Sequence, residues 1–312
     1  MDHPNVLVII PVGPAHTALV QRAIRSAEQQ TYPCNIIVIE DRNGHGAGWA
    51  RNEGAKLSDA DFFVFLDADD TIDRDFVSKT LISFAKSGRY VYTDWQRHVN
   101  ANGTRNVETV KTPDYSTDTL FQHAYFHSVT TLLPAVFWRE VGGFDEGLPA
   151  WEDNDFYYKL AHAGFCGQRL PLSLFHYYSD DGTRRQIGYR LRDELWTLLR
   201  KRYDMAIKRG CCGGSAPPMQ TNRRPKWPIS WQDADAVEAE FIRGGSLAFS
   251  GLATRTRYPR TSKGQRIWVH KADGEAEHNR PGGGYFRVLE APPRNVQDAL
   301  SRLQEKVKNE LS

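Results

Sequence analysis

What most constrains this chain is the alternation, over its first third, of short apolar β runs with helical periodicities. Val6–Ile10, Asn35–Ile39 and Phe62–Leu66 are rich in β-branched and aromatic residues. Between them, Leu19, Val20, Ala23, Ile24 and Ala27 recur at helical spacing, and Ala50–Leu57 forms a second, shorter helical pattern. Tyr32-Pro33 stops the first helix, because proline cannot continue the ladder. Phe76, Val77, Thr80, Leu81 and Phe84 mark another amphipathic helix, and Tyr90–Thr93 a fourth strand. Apolar strands that alternate with helices predict an α/β domain whose mostly parallel sheet is covered by helices on both faces.

Residues 95–127 read as polar and irregular, suited to a lid or substrate loop. Order returns at Thr130–Leu133 and continues through a helix pattern at Phe156–Ala163. Ile187, Leu191, Leu195, Leu198 and Leu199 predict one long helix near 184–203. Gly210–Pro218 has linker composition. Beyond it, Ala236–Ile242, Ser246–Thr254, Arg266–His270 and Gly284–Leu289 look like short strands, and Pro293–Leu311 like an amphipathic helix. The expected division is a domain over 1–205, a linker over 206–230 and a small β-rich module over 231–312 that ends in a helix.

A chain of 312 residues suits two domains, and 40% hydrophobic residues are enough for a sizeable core. A formal net charge of +2 implies no global attraction to polyanions. No apolar run approaches the roughly 20 residues that span a bilayer. Met1-Asp2-His3-Pro4 has no basic n-region, and the expectation is a cytoplasmic protein without a transmembrane segment. Cys34, Cys166, Cys211 and Cys212 lack paired metal spacing and read as reduced thiols.

Asp67-Ala68-Asp69 directly follows the third strand. Ligands of open α/β sheets gather at such carboxyl ends. Two carboxylates one residue apart can share a hard divalent cation that also holds a diphosphate. Asp69, with Asp70, Thr71 and Asp73, would equally serve as a helix N-terminal cluster. Asp41 ends the second strand, where a carboxylate can accept hydrogen bonds from a base or a ribose, or be a solvated turn residue. The Gly44, Gly46, Gly48 loop is followed by Trp49 and comes after the wrong strand for a dinucleotide fingerprint. Trp151-Glu152-Asp153-Asn154-Asp155 sets three acids beside an aromatic, either as a general base in a partly dry pocket or as a helix first turn. His176 ends a strand pattern and can be a metal ligand or an ordinary packed histidine.

Taken in order, these motifs resemble glycosyltransferase family 2, which has the GT-A fold. The matching stretches are Ile9-Ile10-Pro11-Val12, Gln30-Thr31-Tyr32-Pro33, Ile37-Val38-Ile39-Glu40-Asp41, Ala50-Arg51-Asn52-Glu53-Gly54 and Phe65-Leu66-Asp67-Ala68-Asp69-Asp70. Val141-Gly142-Gly143-Phe144-Asp145-Glu146 and Glu152-Asp153-Asn154-Asp155 complete the set, which covers a little over half the chain. The resemblance implies a metal-dependent, inverting transfer from a nucleotide-diphospho-sugar, a UDP-sugar being favoured, to a protein or glycan hydroxyl. It implies that Pro11, Val12, Gly13, Asp41 and Arg51 frame the nucleotide, with Ala68, Trp151 and Glu152 also on the nucleotide-sugar. Asp67 would meet ribose or metal, Asp69 would bind Mn²⁺ or Mg²⁺, His176 would be a looser metal contact, and Asp153 would be the general base. The loop after Asp41 departs from the family in reading Arg42-Asn43-Gly44 where small residues are usual.

Two other readings compete with this one. Asp69 and Asp153 would make a glycosidase-like carboxylate pair that needs no nucleotide. Arg255, Arg257, Arg260, Lys263 and Arg266, with Tyr258 and Trp268, would give a basic β module able to stack single-stranded nucleic acid. Glu275 and Glu277 dilute that patch, so no nucleic acid is expected, and acceptor docking or oligomerisation is favoured for the module.

Overall fold

The computed structural model describes residues 3–101, 104–122, 126–178, 183–203, 236–241, 246–250, 257–262, 266–270, 272–273, 276, 286–288 and 296–311. The expected linker 206–230, and Cys211, Cys212, Arg255, Lys263 and Glu275, lie outside them. The chain divides into two compact units, one of Met1–Gln220 with Leu303–Ser312, the other of Thr221–Arg302.

In the first unit, β1 (Val6–Val12) is flanked by β2 (Asn35–Glu40) and β3 (Phe62–Phe65), both parallel to it. β7 (Leu133–Pro134) closes the order β2-β1-β3-β7 and runs antiparallel to β3. β1 and β3 are buried along their whole length, which is why they read as unbroken apolar runs. The crossovers are α1 (Val20–Glu28) and α2 (Ala47–Lys56). The parallel register brings Val12 beside Glu40 and Ile9 beside Phe65, so the chain leaves all three strands at one edge with Gly13, Asp41 and Asp67.

A second, mixed sheet has the order β4-β8-β5-β6. Its strands are β4 (Thr71–Ile72), β5 (Tyr90–Ala101), β6 (Thr104–Val110) and β8 (Gly167–Tyr178). β5 and β8 are parallel, and an isolated antiparallel bridge from Val91 to Leu132 joins β5 to the approach of β7. The fourth strand thus does not extend the parallel sheet. α3 (Phe76–Ser87) ends at Gly88, whose φ of 65° closes it with a left-handed residue.

Three expectations change here. Residues 95–127 are not wholly irregular. β5 continues to Ala101, β6 returns antiparallel along it, and α4 (Thr117–Gln122) follows. These strands are polar because Asn106, Val107, Glu108 and Thr109 are exposed, so no apolar run betrays them. The long helix near 184–203 is two, α7 (Thr183–Arg190) and α8 (Arg192–Tyr203), although Leu191 and Leu195 still donate to Ile187 and Leu191 across the junction. Cys34 is free, but Cys166 is disulfide-bonded, contrary to the reading of four reduced thiols.

In the second unit, β9 (Ala236–Phe241) lies between β12 (Arg266–His270) and β13 (Phe286–Val288), antiparallel to both. β10 (Ser246–Ser250) pairs antiparallel with β11 (Arg257–Ser262), a strand the sequence pattern did not disclose.

Candidate active site

The site is built around one buried cation. Arg51 lies in α2 with its side chain 4% exposed. Its Nη2 donates to Asp67 Oδ1 at 2.6 Å, and its Nη1 to Glu152 Oε1 at 3.0 Å. Burial works against the guanidinium's charge, but Asp67, Glu152 and Asp153 outweigh it and hold the proton more firmly than usual. Arg51 also lies over the Phe144 ring, 5.3 Å from its centroid. It therefore ties the end of β3 to the first turn of α6 (Glu152–His162), which is 85 to 101 residues away in sequence.

The neighbours of Arg51 explain the rest of its motif. Asn52 is buried and braces the loop before α6: its Nδ2 donates to Phe144 O at 3.0 Å and Glu146 Oε1 at 2.8 Å. Its Oδ1 accepts from Phe144 N at 2.9 Å and Trp138 Nε1 at 3.2 Å. Gly143, with φ of 73°, fits against that amide, and a Cβ there would sit 2.5 Å from Asn52 Oδ1. Gly54 lets α2 approach β1, since a Cβ would come within 2.5 Å of Ile9 Cγ2.

Asp153 stands in the first turn of α6, half-buried beside Glu152. Desolvation first, then the Glu152 charge, pushes its carboxyl up to about 6 against the pull of Arg51. Trp151, the residue before the helix, is buried and left-handed with φ of 63°, the one positive-φ non-glycine among the described residues. Such a conformation costs on the order of 1–3 kcal/mol and persists where surrounding structure imposes it. Here Trp196 of α8 packs edge-on against Trp151 at 5.9 Å. Asp155, fully buried, accepts from Arg202 Nη1 at 2.7 Å and Tyr203 Oη at 2.6 Å, which fastens α8 to α6.

Asp41 belongs to the loop it precedes. Its Oδ1 accepts from His45 N at 2.9 Å, and its Oδ2 from Gly46 N at 2.6 Å. Burial would raise its pKa, but those N–H donors and the His45 ring hold the carboxyl below its usual range. Asp41 N donates to Val12 O at 2.8 Å, so Asp41 and the Pro11-Val12-Gly13 edge lie together.

Asp69 is half-buried, and Ala68 beside it is buried. Desolvation and then the Asp67 charge raise the Asp69 pKa. His16 Nε2, which the sequence reading did not single out, is 3.9 Å from Asp69 Oδ2. Asp70 turns inward and accepts from Tyr178 N at 2.9 Å. The structure thus joins Asp67, Arg51 and Glu152 directly. It does not set His176 on these carboxylates: His176 Nε2 is 3.0 Å from Asp73 Oδ1, and Nδ1 is 3.0 Å from His98 Nε2.

Parallel strands thus deliver carboxylates to one edge of an α/β domain, where ligands of such sheets gather, and an arginine bridges them to an acidic helix start. Residues 16–141 match the sequence profile of Glycosyl transferase family 2. That match covers 126 of the 312 residues, less than half of the chain. A relative from Haemophilus influenzae described as an uncharacterized glycosyltransferase is 26% identical over 140 residues, 44% of this chain and 48% of its own. The chain thus spans about half the length of that curated relative. Among solved structures, the mannosyltransferase PcManGT from Pyrobaculum calidifontis, in complex with GDP-Man and Mn²⁺, aligns with TM-score 0.49 and 15% identity over 67% of this chain and 66% of its own. S. aureus TarS in complex with UDP-GlcNAc aligns with TM-score 0.48 and 16% identity over 62% and 66%.

Proposed function

We propose that this chain transfers a sugar, with inversion, from a nucleotide-diphosphate donor (a UDP-sugar first) to a hydroxyl of a protein or glycan. The observation that carries the reading is the Arg51 bridge, which links the Asp67 strand end to the helix turn holding Asp153. A carboxylate with a pKa of about 6 is mostly ionised at neutral pH and still able to take a proton in the transition state. In this reading Asp153 removes the acceptor hydroxyl proton as that oxygen bonds to the anomeric carbon. The bond from that carbon to the diphosphate oxygen breaks, and its electron pair leaves with the nucleotide diphosphate. One displacement from the opposite face inverts the configuration. The protein contributes position and fixed charge.

Mn²⁺ or Mg²⁺ would be held by Asp69, with Asp67 beside it. The residues suit such an ion, because burial and the Asp67 charge already disfavour an ionised Asp69, and a cation relieves both. Among the described residues no group of three or more His, Cys, Asp and Glu side chains could hold a metal by itself. Two carboxylates fit a hard cation that completes its shell with diphosphate and water. When bound, the ion would offset charge on the departing diphosphate. His176 would join only by giving up Asp73 or His98. Pro11, Val12, Gly13 and Asp41 would frame the nucleotide, Asp41 through the loop it organises, with Ala68, Trp151 and Glu152 lining the sugar side. A cytoplasmic setting belongs to the same reading, against which the Cys166 disulfide weighs. Among the described residues no helix is long and apolar enough to cross a membrane.

The test is a panel of nucleotide-sugars with Mn²⁺, scored by nucleotide release. Asp153→Asn should keep donor binding and lose on the order of 10²–10⁴ in kcat. Near-normal turnover in that variant removes Asp153 from the role, and full activity after rigorous chelation removes the metal.

A further inference from the structure

A separate cleft of about 660 Å³ opens between α1, β4, β5 and β8, and its walls include Arg22, Arg25, Asp73, His98, His176 and Tyr178. We propose that this cleft is an anion site that seats a phosphate group carried by the acceptor. Calling the ligand an acceptor rests on the glycosyltransferase reading; the anion site does not.

The charge of the cleft decides the class of ligand. Among the described residues Asp73 is the single acidic one in its wall, and His176 Nε2 already lies 3.0 Å from Asp73 Oδ1. His98 Nε2 lies 3.0 Å from His176 Nδ1, so the two rings and the Asp73 carboxylate are turned to one another. Arg22 and Arg25 are the arginines that line the cleft among the described residues. They lie three residues apart on α1 and so share one helix face. Arg22 is preorganised, with its guanidinium 3.9 Å from the centroid of the Tyr178 ring. Arg25 is exposed and forms no ion pair among the described residues. Two guanidinium forks match the several oxygens and the charge of a phosphate better than those of a single carboxylate. The volume exceeds what a phosphate alone fills, so the cleft can also take part of the molecule that carries it.

The cleft also borders the reacting end of the domain. Arg22 Nη2 donates to the backbone oxygen of Asp69, and Tyr178 N donates to Asp70 Oδ1 at 2.9 Å. One wall of the cleft is therefore the turn that carries the candidate metal carboxylates, so an acceptor anchored here lies beside the donor diphosphate.

The experiment is calorimetric titration of the full chain with inorganic phosphate, in chelator and without nucleotide. The wild type should bind phosphate. Arg25→Glu and Arg25→Gln, at an exposed position that folding tolerates, should weaken it roughly tenfold or more, as expected for a lost charge-assisted contact. Asp69→Asn should leave phosphate binding intact or tighten it, because a nearby negative charge is removed. Undiminished binding in both Arg25 variants overturns the proposal. So does loss of binding in Asp69→Asn, which would assign the phosphate to the donor site. Acetate bound as tightly as phosphate overturns the choice of ligand. The absence of nucleotide release from any nucleotide-sugar would instead count against the glycosyltransferase reading and leave the anion site standing.

Discussion

At the scale of single residues, the protein sets acids of similar type to different tasks by their surroundings. Asp41 is surrounded by N–H donors and stays ionised, whereas Asp153 sits beside Glu152 and is pushed up to about 6. A base must be unprotonated to act, so kcat/KM should rise with pH through about 6 and level above it, as a pH–rate profile would read. Stability responds differently. Below about 6 the folded protein holds a proton on Asp153 that the unfolded chain, with its ordinary carboxylate, does not bind until lower pH, so this group favours folding as pH falls. His127 works the other way. Burial depresses it to about 4, so between 6.5 and 4 the unfolded chain binds a proton that the folded protein refuses, and stability is lost. Its Nδ1 is tied to Ser128 O at 2.8 Å and its ring is stacked on Tyr92. The two effects oppose each other across this window. Asp153→Asn removes one of them, and its melting temperature should fall more steeply from pH 6.5 to 4 than that of the wild type. Parallel curves would contradict the opposing assignments.

At the scale of elements, close packing outweighs local propensity. Gly54 lies inside α2, where alanine is intrinsically better by about 1 kcal/mol. The added Cβ would meet Ile9 Cγ2 at 2.5 Å and Ile39 Cγ1 at 3.3 Å, and overpacking of a filled core costs roughly 1–3 kcal/mol. Gly54→Ala should therefore be destabilising in a denaturant titration despite its helix preference; a gain in stability would show that α2 shifts freely. The same distinction explains which elements could be read in advance. β1, β3 and α1 carry their own apolar signatures, and they appear within a residue or two of the expected limits. The β5–β6 pair carries none on β6, because pairing with β5 and not burial makes it a strand. The Asn102-Gly103 dipeptide between the two was the available hairpin signal.

At the scale of the whole molecule, the end of the terminal helix Val296–Leu311 returns to the first unit. Lys306 Nζ lies 2.6 Å from Asp61 Oδ2, which also accepts from Asn5 N at 2.9 Å, and Glu310 pairs with His3. These contacts lie at the amino ends of β1 and β3, on the side of the sheet away from Asp67. Val307 is fully buried. Buried apolar contact should count for more than the partly exposed ion pair. Val307→Ala should cost about 2 kcal/mol in unfolding free energy, against less than about 1 kcal/mol for Lys306→Ala. Neither should alter nucleotide affinity, and the reverse order of stability would mean that the helix is held by charge.

The sequence by itself determined the strand–helix order from β1 to β3, the carboxyl-end position of Asp41 and Asp67, and the acidic first turn that holds Asp153. Those are local properties: periodicity, and the residue at which an apolar run stops. Only the tertiary structure decided that Arg51 joins Asp67 to Glu152, that Asn52 braces the loop at Gly143, and that His176 turns to His98 and Asp73. Each of these joins residues distant in sequence, and which side chains meet depends on strand register and helix packing, set by the fold as a whole. The same holds for protonation. Nothing in Glu152-Asp153 as letters separates the two acids, and it is burial beside a like charge that raises Asp153.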